Sequence, residues 1–214
     1  METNDFSLRE LNFGNNRHKI MKEFLTRLTT QSINDIYVED VCKAVGISKV
    51  TFFHYFHSKE EIVHYFILGW EYARSYEAIN GLFHGRQGIE HIFRSISQEV
   101  FAQNMMLSLT QFLSKTECFN LQISITGYEY SLFHSQAYQQ KIRPMNIMEV
   151  ISHYVRELTF IGENDDLCTI LLTLLYGAPL AAKCIGNISL GELYEKNLML
   201  LLFQIEDHPL LRTD

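Results

Sequence analysis

Two short helical segments stand close together in the chain, and a glycine separates them. Apolar residues recur on one side of residues 38–45, and Gly46 follows at a position where a left-handed residue commonly ends a helix. Ser48 then fits the N-cap of a second helix over residues 49–56. Two short helices joined by a turn of a few residues form a helix-turn-helix, so the spacing predicts that motif here.

The residues before this motif predict a third helix. An apolar stripe begins near Arg17, and Asn15 or Asn16 fits its N-cap. Residues 1–14 lack helical periodicity and are predicted to form a mobile arm. The whole chain of 214 residues contains only 3 prolines and 11 glycines, so the frequent turn signals of an all-β protein are missing.

The remainder of the chain is predicted to be helical throughout. Ser58 and Glu61 have the spacing of a capping box, from which a helix runs to about residue 80. Further helices are predicted over residues 88–104, 105–114, 117–139, 144–160, 165–185 and 190–205. The predicted fold class is all-α, with a mobile arm (1–14), a three-helix head (15–60) and a larger helical body (61–214).

Charge is distributed unevenly along the chain. The total of −7 argues by itself against nucleic acid as a partner. Residues 17–59 hold seven Lys and Arg against four Asp and Glu, a balance of +3, so the remainder carries −10. A basic segment on an acidic body can bind phosphate while the acidic body keeps the protein in solution.

Residues 46–61, GISKVTFFHYFHSKEE, resemble the DNA-binding signature of the tetracycline-repressor (TetR) family. Residues 38–45, VEDVCKAV, resemble the preceding helix of that signature, which runs roughly T-V-x-x-I-A-x-x-A-G-V-S-x-G-T-L-Y-x-Y-F-x-S-K-E-x-L. The chain departs from the pattern at Phe53, where tyrosine is usual, at Tyr37, where a threonine usually caps the helix, and at Val50, where a small residue or proline is usual.

The resemblance implies an N-terminal helix-turn-helix DNA-binding domain and a larger ligand-binding and dimerisation domain. Each head of a homodimer would bind half of a pseudo-palindromic operator in double-stranded DNA. A small, largely apolar effector in the body would change operator affinity by tilting the helix after Ser58. Repression is the commoner mode in the family, although the sequence does not distinguish a repressor from an activator.

Residues at the start of a recognition helix contact base edges in the major groove. Lys49 can donate to guanine or to phosphate, and Val50 can contact a thymine methyl group. Lys59 stands at the first position of a helix, where the helix dipole disfavours a cation, and we therefore expect a phosphate beside it. The predicted DNA-binding residues are Ser48, Lys49, Val50, Thr51, Phe53, His54, Tyr55 and Lys59.

Other residues of the motif are predicted to be structural. Phe52 and Phe56 are four residues apart on one helix face and are expected in the core. Cys42 occupies the small-residue position at a helix crossing and is expected to be a buried, inert thiol.

Aromatic residues and methionine are frequent in the body and can line an apolar pocket with a few polar groups. The predicted ligand-binding residues are Tyr72, Phe101, Met105, Tyr128, Phe133, His134 and Tyr176, with Glu129 as a further polar candidate. The same residue types at helical spacing are more often core, so both interpretations stay open for each position.

No catalytic residues, cofactor or metal site are predicted. The sequence contains no G-x-S-x-G, H-E-x-x-H, Walker or G-x-G-x-x-G pattern. His54 and His57 have metal-pair spacing, but no further ligand has an obvious place. The four cysteines form no C-x-x-C pair and are expected to be reduced thiols in the cytoplasm.

The two helices predicted over residues 165–185 and 190–205 are apolar on more than one face. The uncharged stretch 167–182 is short for a membrane span, so we expect a partner surface closed by a two-fold dimer. Two alternatives stay open: a helix-turn-helix protein that acts through a protein partner, and a ligand carrier or enzyme with a vestigial head.

Overall fold

The computed structural model describes residues 6–115, 123–160, 162–203 and 205–207. Within these residues the fold is all-α, as predicted. The helices are α1 (Leu8–Leu28), α2 (Val38–Val45), α3 (Lys49–Tyr55), α4 (Lys59–Ile79), α5 (Gly85–Ser97), α6 (Ala102–Lys115), α7 (Gly127–Phe133), α8 (Ser135–Gln139), α9 (Ile147–Val155), α10 (Asn164–Ile185) and α11 (Leu190–Leu201). A 3-10 turn (Ile33–Asp35) precedes α2, and β1 (Leu158–Thr159) pairs antiparallel with β2 (Glu206–Asp207).

The chain divides into two compact units. Unit one comprises residues 1–70 and 104–141, and unit two comprises residues 71–103 and 142–214. The division of function over residues 1–14, 15–60 and 61–214 stays a prediction, because compactness alone does not assign a role to a segment.

Helix α1 begins at Leu8, well before the predicted start at Arg17, so that prediction is wrong. Ser7 and Glu10 form a complete capping box, in which the Ser7 hydroxyl accepts from the Glu10 amide and the Glu10 carboxylate accepts from the Ser7 amide. Asn15 and Asn16 therefore lie inside the helix rather than at its cap. Residues 8–14 are helical, and residues 1–5 of the predicted arm lie outside the described residues.

Four predicted helices of the body are also shorter than expected. Those over residues 88–104 and 190–205 end early, at Ser97 and Leu201, and the other two begin late. The helix over residues 117–139 falls partly outside the described residues, and its described part begins at the Thr126 cap and is interrupted by the extended His134. The helix over residues 144–160 begins after Asn146, another capping-box residue, and ends before β1. In both cases a polar residue that satisfies backbone groups sets the boundary, and apolar periodicity does not show it.

The core of unit one joins α1 to the helix-turn-helix. The stripe predicted on α1 is buried, as are the core side chains contributed by the motif; these residues are Ile20, Met21, Phe24, Leu25, Leu28, Val41, Cys42, Phe52 and Phe56. The structural roles predicted for Phe52, Phe56 and Cys42 agree with this burial. Burial also raises the pKa of the Cys42 thiol, which keeps it in the less reactive protonated form.

In unit two, a buried carboxyl group fixes the start of α9. Glu71 is 9% exposed, and its carboxylate accepts a hydrogen bond from the Ile147 amide at 2.8 Å. Burial raises the pKa of Glu71 to about 7. Close packing joins α5 to α9, since a Cβ atom at Gly88 would lie 2.2 Å from Cδ1 of Tyr154.

Helix α10 is long and apolar, and it packs against α9 and α11. Among the described residues it is the one helix whose length and composition would allow a membrane span, a test that core helices of soluble proteins also pass. One side of it is buried through Leu167, Leu171 and Leu175, whereas Ile170 and Leu180 are about half exposed. The partner surface expected on these helices stays a prediction.

Candidate nucleic-acid interface

The turn between α2 and α3 has the geometry that the sequence predicts. Gly46 adopts φ 74°, in the left-handed region, and its amide donates to the Cys42 carbonyl to close α2. The Ser48 hydroxyl accepts from the Thr51 amide at 3.0 Å and begins α3. The predicted helix stop and N-cap are therefore both confirmed.

Helix α3 has one buried side and one exposed side. Phe52 is fully buried, and Phe56 just after the helix is buried with it. On the exposed side, Val50 is 83% exposed and Phe53 is 42% exposed, and His54 is exposed as well. This side presents Val50, Phe53 and His54, three of the residues predicted to contact DNA.

Ser48 and Thr51 form a pair at the start of α3. Their hydroxyl oxygens lie 2.8 Å apart, in addition to the cap bond between the Ser48 hydroxyl and the Thr51 amide. The pair orients both hydroxyls at the exposed end of the helix. Tyr37, by contrast, begins α2 without a side-chain cap and is largely exposed, which agrees with the missing cap expected from the sequence.

Tyr55 holds α3 against α1. Its phenol oxygen accepts from the Asn16 side-chain amide at 2.8 Å, and its ring packs on Phe13 with the centroids 5.2 Å apart. Tyr55 was expected to point toward DNA, but its hydroxyl bonds within the protein. Only the proton of that hydroxyl is left to donate elsewhere.

Lys59 also has an internal role. Its ammonium group donates to the backbone carbonyls of Ile33 and Ile36 at 2.6 and 3.0 Å, and so fixes the 3-10 turn to the start of α4. These two carbonyl oxygens solvate the ammonium group, so the unfavourable position of the cation at a helix start does not by itself require a phosphate. A phosphate contact through the remaining N–H stays a prediction.

Lys49 lies beside a carboxylate on the exposed surface. Its ammonium group donates to Glu39 of α2, and both side chains are more than half exposed. This hydrogen bond is the main reason why the pKa of Glu39 is lowered. The two residues therefore form an ion pair at the N-terminal end of α3, next to Val50.

Several of the cations in residues 17–59 already have partners within the protein. Arg17, Arg27 and Lys49 each pair with a carboxylate, and Lys59 is bound by carbonyl oxygens. The exposed cations of this segment without a carboxylate partner in the described residues are Lys19, Lys22 and Lys43. Ion pairs within the segment leave its balance of +3 unchanged, so the pairing reduces the number of cations that are free to contact phosphate and not the long-range attraction of DNA.

Comparison with known proteins supports the assignment made from the motif. The family model for bacterial regulatory proteins of the tetR family matches residues 29–66, which include α2, the turn and α3. The chain carries a TetR-family DNA-binding domain. No curated protein matches the chain.

Two solved structures share the fold beyond the TetR domain. Reduced NemR from E. coli is 18% identical, with 91% of this chain and 99% of that chain covered at a TM-score of 0.53. The ketosteroid transcriptional regulator KstR2 of Mycobacterium tuberculosis is 15% identical, with 90% and 95% covered at a TM-score of 0.51. At these identities the likeness shows the fold alone.

Within unit one, α1 packs on α7 through a buried ion pair. Arg17 donates to the Glu129 carboxylate at 2.9 Å and to the Ser124 carbonyl at 3.0 Å, and Arg17 and Glu129 are both buried. The guanidinium also lies over the rings of Phe56 and Tyr65, 4.9 and 4.3 Å from their centroids. Sequence reasoning missed this pair, although Arg17 stands three residues before Ile20 on the apolar stripe.

Three of the predicted ligand-binding residues lie in or next to α7 and have structural contacts there. Tyr128 donates to Asn15 and packs against Gly14, and Phe133 packs against Gly69 so closely that a Cβ atom there would lie 2.4 Å from the ring. His134 accepts from the Ala137 amide and caps α8. Glu129, the further polar candidate, is the partner of Arg17 and is not available to a ligand.

Two cavities lie in unit two. One of about 450 Å³ lies between α5 and α11, and one of about 570 Å³ lies between α10 and α11. None of the seven predicted ligand-binding residues lines either cavity. Tyr72 and Met105 are buried, and Phe101 and Tyr176 are half-buried, so a ligand role for these residues stays a prediction. The described residues contain no group of three His, Cys, Asp or Glu that could hold a metal ion.

Proposed function

We propose that this protein is a sequence-specific transcriptional regulator that inserts α3 into the major groove of double-stranded DNA. The observation that carries the proposal is the exposed start of α3 within a matched TetR domain. Val50, a large apolar residue, is 83% exposed there and contributes nothing to the core, which suits a residue that contacts a partner.

The proposed DNA contacts divide by chemistry. Lys49 donates to guanine or phosphate, and Val50 contacts a thymine methyl group. Ser48, Thr51 and His54 donate to phosphate or base edges, and the Phe53 ring adds an apolar contact without the hydrogen bond of a tyrosine. Tyr55 and Lys59 contribute only through the hydrogens that their internal bonds leave free.

The protein is proposed to act as a homodimer closed by α10 and α11. The large apolar residues that remain about half exposed or more on these helices and just after them are Ile170, Leu180, Ile185, Met199, Leu200 and Phe203. A two-fold contact would bury this surface and the adjoining apolar cavity. Two heads related in this way would bind half-sites about 34 Å apart, one turn of DNA.

A small, largely apolar effector is proposed to bind in the helices outside the TetR domain and to alter operator affinity. The expected coupling free energy between effector binding and operator binding is about 1–3 kcal/mol. The effector would shift the population between a conformation that fits the operator and one that does not. Repression is the proposed mode, in the cytoplasm, where the DNA target and reduced thiols belong. No enzymatic role is proposed, because TetR-family regulators are typically non-enzymatic DNA-binding proteins.

The test is a selection of duplexes from a randomised pool by the full-length protein, together with sedimentation of the free and bound protein. The proposal expects an enriched motif with two related half-sites and a mass of two chains on the DNA. A protein that enriches no duplex, with its binding helix correctly folded, would instead support the alternative of a helix-turn-helix protein that acts through a protein partner.

A further inference from the structure

Lys49 and Glu39 place opposite charges side by side at the surface proposed to meet DNA. Lys49 is the first residue of α3, and Glu39 is the second residue of α2. Their side chains are 55% and 60% exposed, and the ammonium group donates to the carboxylate. Exposed ion pairs of this kind contribute little to the stability of a fold, so folding alone gives little reason for the pair.

The pair is poorly suited to binding the phosphate backbone. A lone lysine gains affinity by replacing condensed counterions, but a lysine next to a carboxylate brings almost no net positive charge. The carboxylate is also repelled by phosphate oxygens. A base edge is a better partner, because it presents donors and acceptors rather than a full negative charge.

One base pair presents the complementary pattern in the major groove. Guanine offers the acceptors N7 and O6, and the cytosine paired with it offers an N4 amino donor beside O6. An A·T pair offers a donor between two acceptors. At such a pair, either the carboxylate would lie against an acceptor or the ammonium group would lie against a donor. The Lys49 ammonium has three N–H groups and can keep its bond to Glu39 while it donates to guanine.

We infer that Lys49 and Glu39 together read one G·C base pair in each half-site. The Lys49 ammonium donates to guanine O6 and N7, and the Glu39 carboxylate accepts from cytosine N4. This inference rests on the proposed function and adds a specificity-determining residue, Glu39, that lies outside α3.

The experiment compares motifs selected from randomised duplexes by the full-length wild type and by Glu39→Gln and Lys49→Met. The wild type is expected to require G·C at one position of each half-site. In each variant, the preference for G·C at that position is expected to fall about tenfold, and the preferences at the other positions are expected to stay unchanged. The matched controls are Asp40→Asn and Lys43→Met, which change the same charges at exposed positions of α2 and should leave the preference intact.

Base analogues separate the major groove from the minor groove. Inosine in place of the guanine keeps O6, N7 and the cytosine amino group, so affinity should stay within about twofold. Diaminopurine·T copies the minor-groove edge of G·C but the major-groove edge of A·T, so affinity should fall about tenfold. The opposite order would overturn the inference.

The outcomes distinguish the inference from the proposed function. If Glu39→Gln keeps the G·C preference of the wild type, or if it loses affinity equally at all positions of the motif, the role of the pair is overturned. The proposed function is unaffected by either result. A wild type that selects no duplex overturns the proposed function and the inference with it. A melting temperature of each variant within about a degree or two of the wild-type value shows that the variant is folded.

Discussion

Replacing Lys59 with methionine separates the two roles that this residue has been given. Methionine keeps much of the apolar stem and removes the ammonium group. In the structure that group donates to the carbonyls of Ile33 and Ile36. Hydrogen bonds to a charged group contribute about 1.5–3 kcal/mol when buried, and Lys59 is half-buried, so the two bonds together should be worth about 2 kcal/mol.

The expected result for Lys59→Met is a loss of about 2 kcal/mol in the free energy of unfolding, measured in urea. If Lys59 also contacts a phosphate through its remaining N–H, the slope of log affinity against log salt should fall by about 0.9, whereas an unchanged slope would remove Lys59 from the proposed DNA contacts and leave it the structural role alone. Lys43→Met, at an exposed position, is the control and should change stability by less than about 0.5 kcal/mol. Unchanged stability with a slope lowered by about one would refute the structural role and assign Lys59 to phosphate.

Three further predictions concern packing and titration. The raised pKa of Glu71 means that the folded protein binds a proton more tightly than the unfolded chain, so its contribution to stability is present below about pH 4.5 and is lost as pH rises through about 7. Glu71→Gln should therefore unfold at higher urea than the wild type at pH 8 and at a similar concentration at pH 5. Gly88→Ala should lower the free energy of unfolding by about 1–3 kcal/mol, because the added methyl group overpacks the contact with Tyr154. Gly191→Ala, where the nearest atom to an added Cβ is 3.5 Å away, should be neutral or stabilising. Equal effects of the two variants on the urea midpoint would contradict this. Arg17→Met should lower the free energy of unfolding by about 3–5 kcal/mol, because it leaves the buried Glu129 carboxylate without its ion-pair partner. Adding Glu129→Leu should recover most of that loss. If the effects of the two substitutions simply add in the double-mutant cycle, the pair is not coupled.

Local backbone chemistry made the helix-turn-helix predictable from sequence. Gly46 ends α2 and Ser48 caps α3 through interactions within a few residues, and these positions are confirmed. Ser7 has the same kind of signal, since its spacing to Glu10 is that of a capping box, whereas the predicted start near Arg17 rests on the apolar stripe with Asn15 or Asn16 as its cap. Local signals therefore carried more information than periodicity about where helices begin.

Long-range partners could not be predicted in this way. Lys59 is bound by carbonyl oxygens of residues 33 and 36, and Arg17 by a carboxylate at residue 129, more than one hundred positions away. No pattern in a single sequence indicates contacts between residues so far apart in the chain. Aromatic residues in the body were equally ambiguous, because Phe133 packing on Gly69 and a ring lining a ligand pocket have the same sequence signature.

The most direct measurement is hydrogen exchange of the full-length protein, free and bound to a duplex that it has selected. If the start of α3 lies in the groove, exchange should slow in the segment 46–58 and stay unchanged in α10 and α11 for a protein that is already dimeric. Identical exchange of residues 46–58 in the free and bound protein, or slowing confined to other helices, would contradict the account.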